Sequence, residues 1–68
     1  MSKYQKLWEY VEEQGETSLM LSFTQIETVL GFAIDHSFLN YKKELTDYGY
    51  QVKKISLKEK NVLFEKSE

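Results

Sequence analysis

The segment Leu21-Ser22-Phe23-Thr24-Gln25-Ile26-Glu27-Thr28-Val29-Leu30-Gly31-Phe32 reads as a short helix whose two ends are specified by its own residues. Ser22 with Gln25, or Thr24 with Glu27, can form a capping box, in which the hydroxyl accepts from the N3 amide and the N3 side chain returns the bond. Gly31 can take the left-handed conformation that stops the helix. A strand-like run precedes the segment and a lysine-bearing helical pattern follows it, which is the arrangement of a helix-turn-helix.

At 68 residues the chain is one domain, of a size at which a single core barely outweighs the entropy of ordering the chain. With no cysteine, neither disulfides nor a thiolate zinc site can staple it, and a reducing compartment fits. The ten aromatic residues, one Trp, five Tyr and four Phe, are the expected substitute, and dimerisation is the other remedy. No apolar run approaches the roughly 20 residues needed to cross a bilayer. Met1-Ser2-Lys3-Tyr4 lacks the hydrophobic region of a secretory signal. A cytoplasmic protein without membrane contact is expected.

The net charge of −2 argues against indiscriminate polyanion binding, yet it conceals a division along the chain. Residues 1–35 carry two lysines and six acids, or −4; residues 36–68 carry seven lysines and five acids, or +2. An anionic partner belongs with the second half. All nine basic residues are lysine, so there is no guanidinium fork for bidentate contact with guanine or phosphate.

Tyr4, Leu7, Trp8 and Val11 recur at helical spacing, predicting an amphipathic helix over residues 3–14 closed by Gly15. Residues 17–22 read as a strand with Leu19, Leu21 and Phe23 on one side. The capped helix follows, burying Phe23, Ile26, Val29 and Leu30, with Phe32 and Ile34 pinned into the core after it. Asp35 or Ser37 caps a third helix reaching Tyr48, with Phe38, Tyr41, Leu45 and Tyr48 inward, and Gly49 ends it. A hairpin completes the chain: residues 50–57, a charged turn over 58–61, and residues 62–65. Tyr50 and Val52 are even-numbered while Ile55 and Leu57 are odd, so a bulge or twist is expected between Lys53 and Lys54. The last residues, from Lys66, are expected to fray.

Helix, strand, helix, helix, strand, strand is the order of an α+β winged helix-turn-helix with a small antiparallel sheet. A looser α+β domain with no groove-reading helix is the alternative. Lys3-Tyr4 with Leu7 and Tyr10, then Leu21-Ser22-Phe23, Ile26-Glu27, Leu30-Gly31, and Gly49-Tyr50-Gln51-Val52 with Ile55, Leu57, Val62 and Phe64, resemble a small bacterial winged-helix-like family of unknown function. The likeness spans nearly the whole chain and rests mostly on structural positions. Where members of that family carry a proline before the third helix and paired tryptophans after its start, this chain has Ala33-Ile34-Asp35 and Asn40-Tyr41-Lys42-Lys43.

Two functions follow. In the first, a small regulator, expected to be a homodimer, binds double-stranded DNA. Asn40 pairs with adenine, Ser37 meets a base or phosphate, and Lys42 and Lys43 neutralise phosphates. Lys53, Lys54 and Lys58 support them from the hairpin, beside Lys60. The plainer reading of the same groups is ordinary solvated surface. In the second, the acidic face of helix one docks on a basic protein, as a DNA mimic or inhibitor from a mobile element would. Glu9, Glu12, Glu13 and Glu16 supply the charge, and Tyr10, which fits the buried stripe poorly, supplies an interface aromatic. Tyrosines interleaved with lysine could also stack on unpaired bases, although a domain this small needs most of them in its core.

No enzyme activity, cofactor or metal is expected. His36 stands between Asp35 and Ser37, but neighbours at a helix start point in different directions and cannot form a relay. No second nitrogen or sulfur ligand accompanies the one histidine.

Overall fold

In the computed structural model, which describes residues 3–67, Tyr4 stands at the N-cap of helix α1 (Gln5–Gln14). Leu7, Trp8 and Val11 of α1 are buried as the spacing requires, and Gly15 ends it. Strand β1 (Ser18–Ser22) leads directly into α2 (Phe23–Leu30). Of the two capping boxes the sequence allows, the one at Ser22 forms: its hydroxyl accepts from Gln25 N at 3.0 Å and Gln25 Oε1 accepts from Ser22 N at 2.8 Å. Thr24 instead receives the Thr28 hydroxyl on its carbonyl. Gly31 closes α2 at φ 86°, a left-handed conformation that a side chain would strain.

The hairpin comprises β2 (Tyr50–Ser56) and β3 (Asn61–Lys66), and the three strands form one antiparallel sheet in the order β1-β3-β2. Leu19 faces Phe64 and Leu21 faces Val62 across β1 and β3, so both pairs bury the same side. Along β2, Val52 pairs with Phe64 and Lys54 with Leu63, leaving Lys53 as the extra residue of a bulge. The bulge lets Tyr50 and Val52, then Ile55, turn inward despite their change of parity.

Two expectations about the hairpin are corrected. Leu57 lies beyond the end of β2 and is 78% exposed rather than inward, because the chain leaves the sheet at Ser56 and enters the turn. The C-terminal residues do not fray from Lys66: Lys66 N donates to Thr17 O at 2.8 Å and Ser67 N to Gly49 O at 2.9 Å. Glu68, expected to fray with them, and Met1 and Ser2, part of the stretch expected to lack a secretory signal, lie outside the described residues.

The third helical segment also differs. It is α-helical only over α3 (Ser37–Tyr41) and continues as a 3₁₀ helix over Lys42–Tyr48, ended by Gly49 at φ 84°. Three residues per turn replace 3.6, so Lys42, Leu45 and Tyr48 share the inner face. Leu45 is fully buried and the other two are half-buried, while Tyr41, expected inward, is 40% exposed. Thr46 supports the tighter winding by donating its hydroxyl to Lys43 O at 2.7 Å.

The core is an aromatic cluster beneath α1. Tyr4, fully buried, stacks edge-on against Phe38 at 5.5 Å between centroids and lies 5.9 Å from Trp8, which is 5.8 Å from Phe38. Phe64, Val62, Leu21 and Ile26 extend it toward the sheet. The ring that buries most keeps its polar handle satisfied: Trp8 Nε1 donates to Glu44 Oε1 at 3.2 Å. Tyr50 likewise donates to Glu16 O at 2.6 Å.

Candidate functional site

Three surfaces compete, and the first is the set of residues expected to face DNA. Asn40 and Lys43 are exposed on the third segment, and Lys42 is drawn half inside by the 3₁₀ winding. Ser37 is half-buried and its hydroxyl is occupied, donating to Asp35 Oδ1 at 2.6 Å and lying 2.9 Å from the Tyr4 hydroxyl. Asp35 also accepts from Ser37 N at 2.9 Å, but it does not cap α3 as expected, and neither does Ser37: the N-cap is His36, with no side-chain cap bond, Ser37 is the first helical residue, and Asp35 stands one residue outside in a turn over its own next-but-one amide. Lys3 Nζ binds the other carboxylate oxygen at 3.1 Å, with the rings of Phe32 and Tyr4 5.3 and 5.5 Å away. The bonds from Ser37 and Lys3 hold the Asp35 carboxyl well below the usual carboxylate range, and Asp35 in turn raises the Lys3 ammonium above its ordinary value. This network ties the connection before α3 to α1.

On the hairpin, Lys53, Lys54 and Lys58 are exposed, and Lys53 lies 3.8 Å from Glu65. The lysines of the third segment, Lys42 and Lys43, are followed on it by Glu44 and Asp47, so the formal charges of that segment cancel. A phosphate approaching it meets two charges of each sign.

The second surface is acidic. Tyr48, half-buried on the inner side of the 3₁₀ helix, has its hydroxyl pushed above the ordinary tyrosine value by burial, with Glu9 and Glu12 of α1 and Glu44 and Asp47 of its own segment acting on it as negative charges. Packing of α1 against the 3₁₀ helix thus brings acids from both halves of the chain to bear on one ring. Glu9 also accepts from Gln5 Nε2 at 2.9 Å, one turn away, while Glu13 is exposed. Tyr10, expected to be a free interface aromatic, is half-buried and packs against the core. The contribution of Glu44 and Asp47 was not visible in the charge division of the sequence, because they lie in the half that sums to +2. Only the packing of the two elements reveals it.

The third surface is apolar. A groove of about 640 Å³ opens between the start of α2, the 33–36 connection, α3 and the end of β2, with Phe23, Ile34, Leu39, Ile55 and Leu57 among its lining. Leu39 is 53% exposed and, with Leu57, stands at its margin. Phe23 N donates to Lys60 O at 2.8 Å, fastening the hairpin turn to the start of α2 and fixing the groove's width. The isolated period-3.6 reading of the third segment hid this surface, because Leu39 falls outside its buried stripe.

Among the described residues, no group of three or more His, Cys, Asp or Glu side chains could hold a metal ion, and no helix is long and apolar enough to cross a membrane. His36 is exposed beside Asp35, whose carboxylate is engaged by Ser37 and Lys3. Comparison with protein-family models, with curated proteins and with solved structures gives no match to this chain.

Proposed function

We propose that this chain is a winged-helix-like interaction module that docks on a basic protein surface through the face shared by α1 and the 3₁₀ helix. The element order and the sheet order β1-β3-β2 support the scaffold, since together they set a hairpin beside the third helical segment as a wing stands beside a recognition helix. The docking reading is supported by the packing of α1 on the 3₁₀ helix, which brings Glu9, Glu12, Glu44 and Asp47 near enough to Tyr48 to act on it as negative charges, an arrangement suited to a lysine- or arginine-rich partner. A partner of that chemistry is a protein whose basic groove otherwise accepts nucleic acid, which makes the module an inhibitor or mimic.

A second reading is duplex DNA binding by Asn40 and Lys43 with Lys53, Lys54 and Lys58. The same element order favours it, as does the exposure of those side chains. One experiment separates the two. Wild-type protein and a Glu9→Lys/Glu12→Lys/Asp47→Lys variant are used as baits in a native extract, and both are titrated against random duplex at low salt. Docking predicts a specific protein retained by the wild type and lost by the variant, with no duplex binding at tens of micromolar. Salt-sensitive duplex binding that Asn40→Ala and Lys43→Glu abolish would establish the DNA reading instead.

A further inference from the structure

We propose that the outer edge of β1 is where two copies of this chain associate, strand against antiparallel strand, about a two-fold axis at Leu19 that joins their sheets into one. The inference does not rest on the docking reading. It starts from the phase of the ladder between β1 and β3. Lys66 N donates to Thr17 O and Phe23 N to Lys60 O, each just beyond one end of the register. Hydrogen-bonded pairs in an antiparallel ladder recur at every second residue, so Thr17, Leu19, Leu21 and Phe23 turn their amides and carbonyls toward β3. Ser18, Met20 and Ser22 turn theirs outward. Ser22 N agrees with this phase, because on the outer side it donates to Gln25 Oε1 at 2.8 Å.

The capping box closes this edge at Ser22, and at the other end the Glu16 carbonyl accepts the Tyr50 hydroxyl at 2.6 Å. Between these ends stand Ser18 and Met20, both exposed, whose N–H and C=O groups receive no hydrogen bond from another described residue. Such a row of donors and acceptors is a template for a further strand. The opposite edge of the sheet is defended, since β2 bears exposed Lys53 at its bulge and exposed Lys54 after it. Ser18–Ser22 has no charge, no proline and no bulge.

The placing of the open groups identifies the occupant. Ser18 and Met20 lie symmetrically about Leu19, so a two-fold axis there sets Ser18 opposite Met20 of the second copy, each amide facing a carbonyl. Every open group is used and none is left over. A longer strand from another protein would run on against Ser22 and Glu16, where partners are already in place. The side chains fit the same register: Met20, 54% exposed, lies across from a small serine, and half-buried Leu19 meets its own equivalent on the core side. An uncharged strand also sets no like charges opposite each other.

Single cysteines test the register, because the chain has none of its own. A non-hydrogen-bonded antiparallel pair brings its Cα atoms to about 4.5 Å and a hydrogen-bonded pair to about 5.5 Å, both within disulfide reach. Leu19→Cys should therefore oxidise to a linked dimer. Ser18→Cys and Met20→Cys, at exposed positions, should stay largely unlinked when alone and should cross-link when mixed. In sedimentation equilibrium the wild-type mass should rise from 8.1 kDa toward twice that value as concentration increases. Met20→Pro removes an outward N–H that the ladder does not use, and Met20→Lys places a charge on the edge; each should weaken association about tenfold or more. Met20→Lys should also leave the circular dichroism spectrum unchanged, so the test does not depend on the proline variant folding. A wild-type chain that stays monomeric to about 1 mM, including one whose β1 takes a strand of a different protein, overturns the proposal. So does a dimer indifferent to Met20→Lys, or one in which Ser18→Cys or Met20→Cys links to itself as readily as the mixture does.

Discussion

The hydroxyl of Tyr4 lies 3.2 Å from Asp35 Oδ1 and 2.9 Å from Ser37 Oγ, joining the start of α1 to the start of α3 across 31 and 33 residues of chain. Its ring sits in the middle of the aromatic cluster, so one side chain both fills the core and fixes where the third segment begins.

Tyr4→Phe keeps the ring and removes these polar contacts. It should cost about 1 kcal/mol, the usual net worth of such a bond, and lower the melting temperature by about 4 to 8 °C in a domain of this size. Ser37→Ala should do much the same. Thermal denaturation followed by circular dichroism checks both, and a Ser37→Ala protein of unchanged stability would return Ser37 to the list of free surface hydroxyls.

Acid should weaken the same junction. The folded-state pKa of Asp35 is depressed, first by Ser37 and then by Lys3, so its contribution is present above the ordinary carboxylate value of 3.8 and is lost as pH falls below it toward the folded value. More than half of the Asp35 side chain is exposed, and water and salt damp the effect. The urea midpoint of the wild type should therefore drop more between pH 5 and about pH 3 than that of Asp35→Asn. Equal slopes would show that the carboxylate contributes nothing to folding.

Tyr48 reports on the acidic face. Burial raises its pKa first, and the surrounding carboxylates raise it further. Glu9→Gln with Glu12→Gln should lower the Tyr48 titration midpoint toward the ordinary tyrosine value, read by the tyrosinate absorbance against a Tyr48→Phe control. Its stability contribution is complete below the unfolded tyrosine pKa and fades as pH rises through the raised folded one. A midpoint unmoved by the two substitutions would mean that the α1 charges do not reach this ring.

The bulge makes a sharp forecast because strand parity admits no compromise. Deleting Lys53 would place Val52, Lys54 and Ile55 in regular alternation opposite Phe64, Leu63 and Val62, so the variant should keep its dispersed amide spectrum, whereas inserting one more residue between Val52 and Lys53 should lose it. Lys53→Ala should change stability by less than about 0.5 kcal/mol, since the 3.8 Å contact with Glu65 is exposed. An unfolded deletion variant would mean that the twist of the bulge, and not only the parity it corrects, is needed by the sheet.

What could be read from the chain alone was whatever is decided within a few residues. The Ser22 and Gln25 box, the stops at Gly31 and Gly49, and the parity change between Val52 and Ile55 each follow from neighbours in sequence. The winding of residues 42–48 does not. Either helical period buries Leu45, and the choice between Tyr41 and Lys42 as its inner neighbour is settled by packing against α1 and the sheet. The candidate surfaces share this difficulty. Glu44 and Asp47 join Glu9 and Glu12 only through tertiary contact, and Leu39 and Leu57 become neighbours of one groove only when the turn is fastened to α2.

Because β3 lies between β1 and β2, neither outer strand has its sheet partner until residues 61–66 have left the ribosome. A nascent chain stalled just short of Asn61 would hold three α-helices, a 3₁₀ helix and a pair of unmated ribbons, open to proteases and to other nascent chains. Completion of the final six-residue strand is thus the step at which a translating molecule passes from vulnerable to folded.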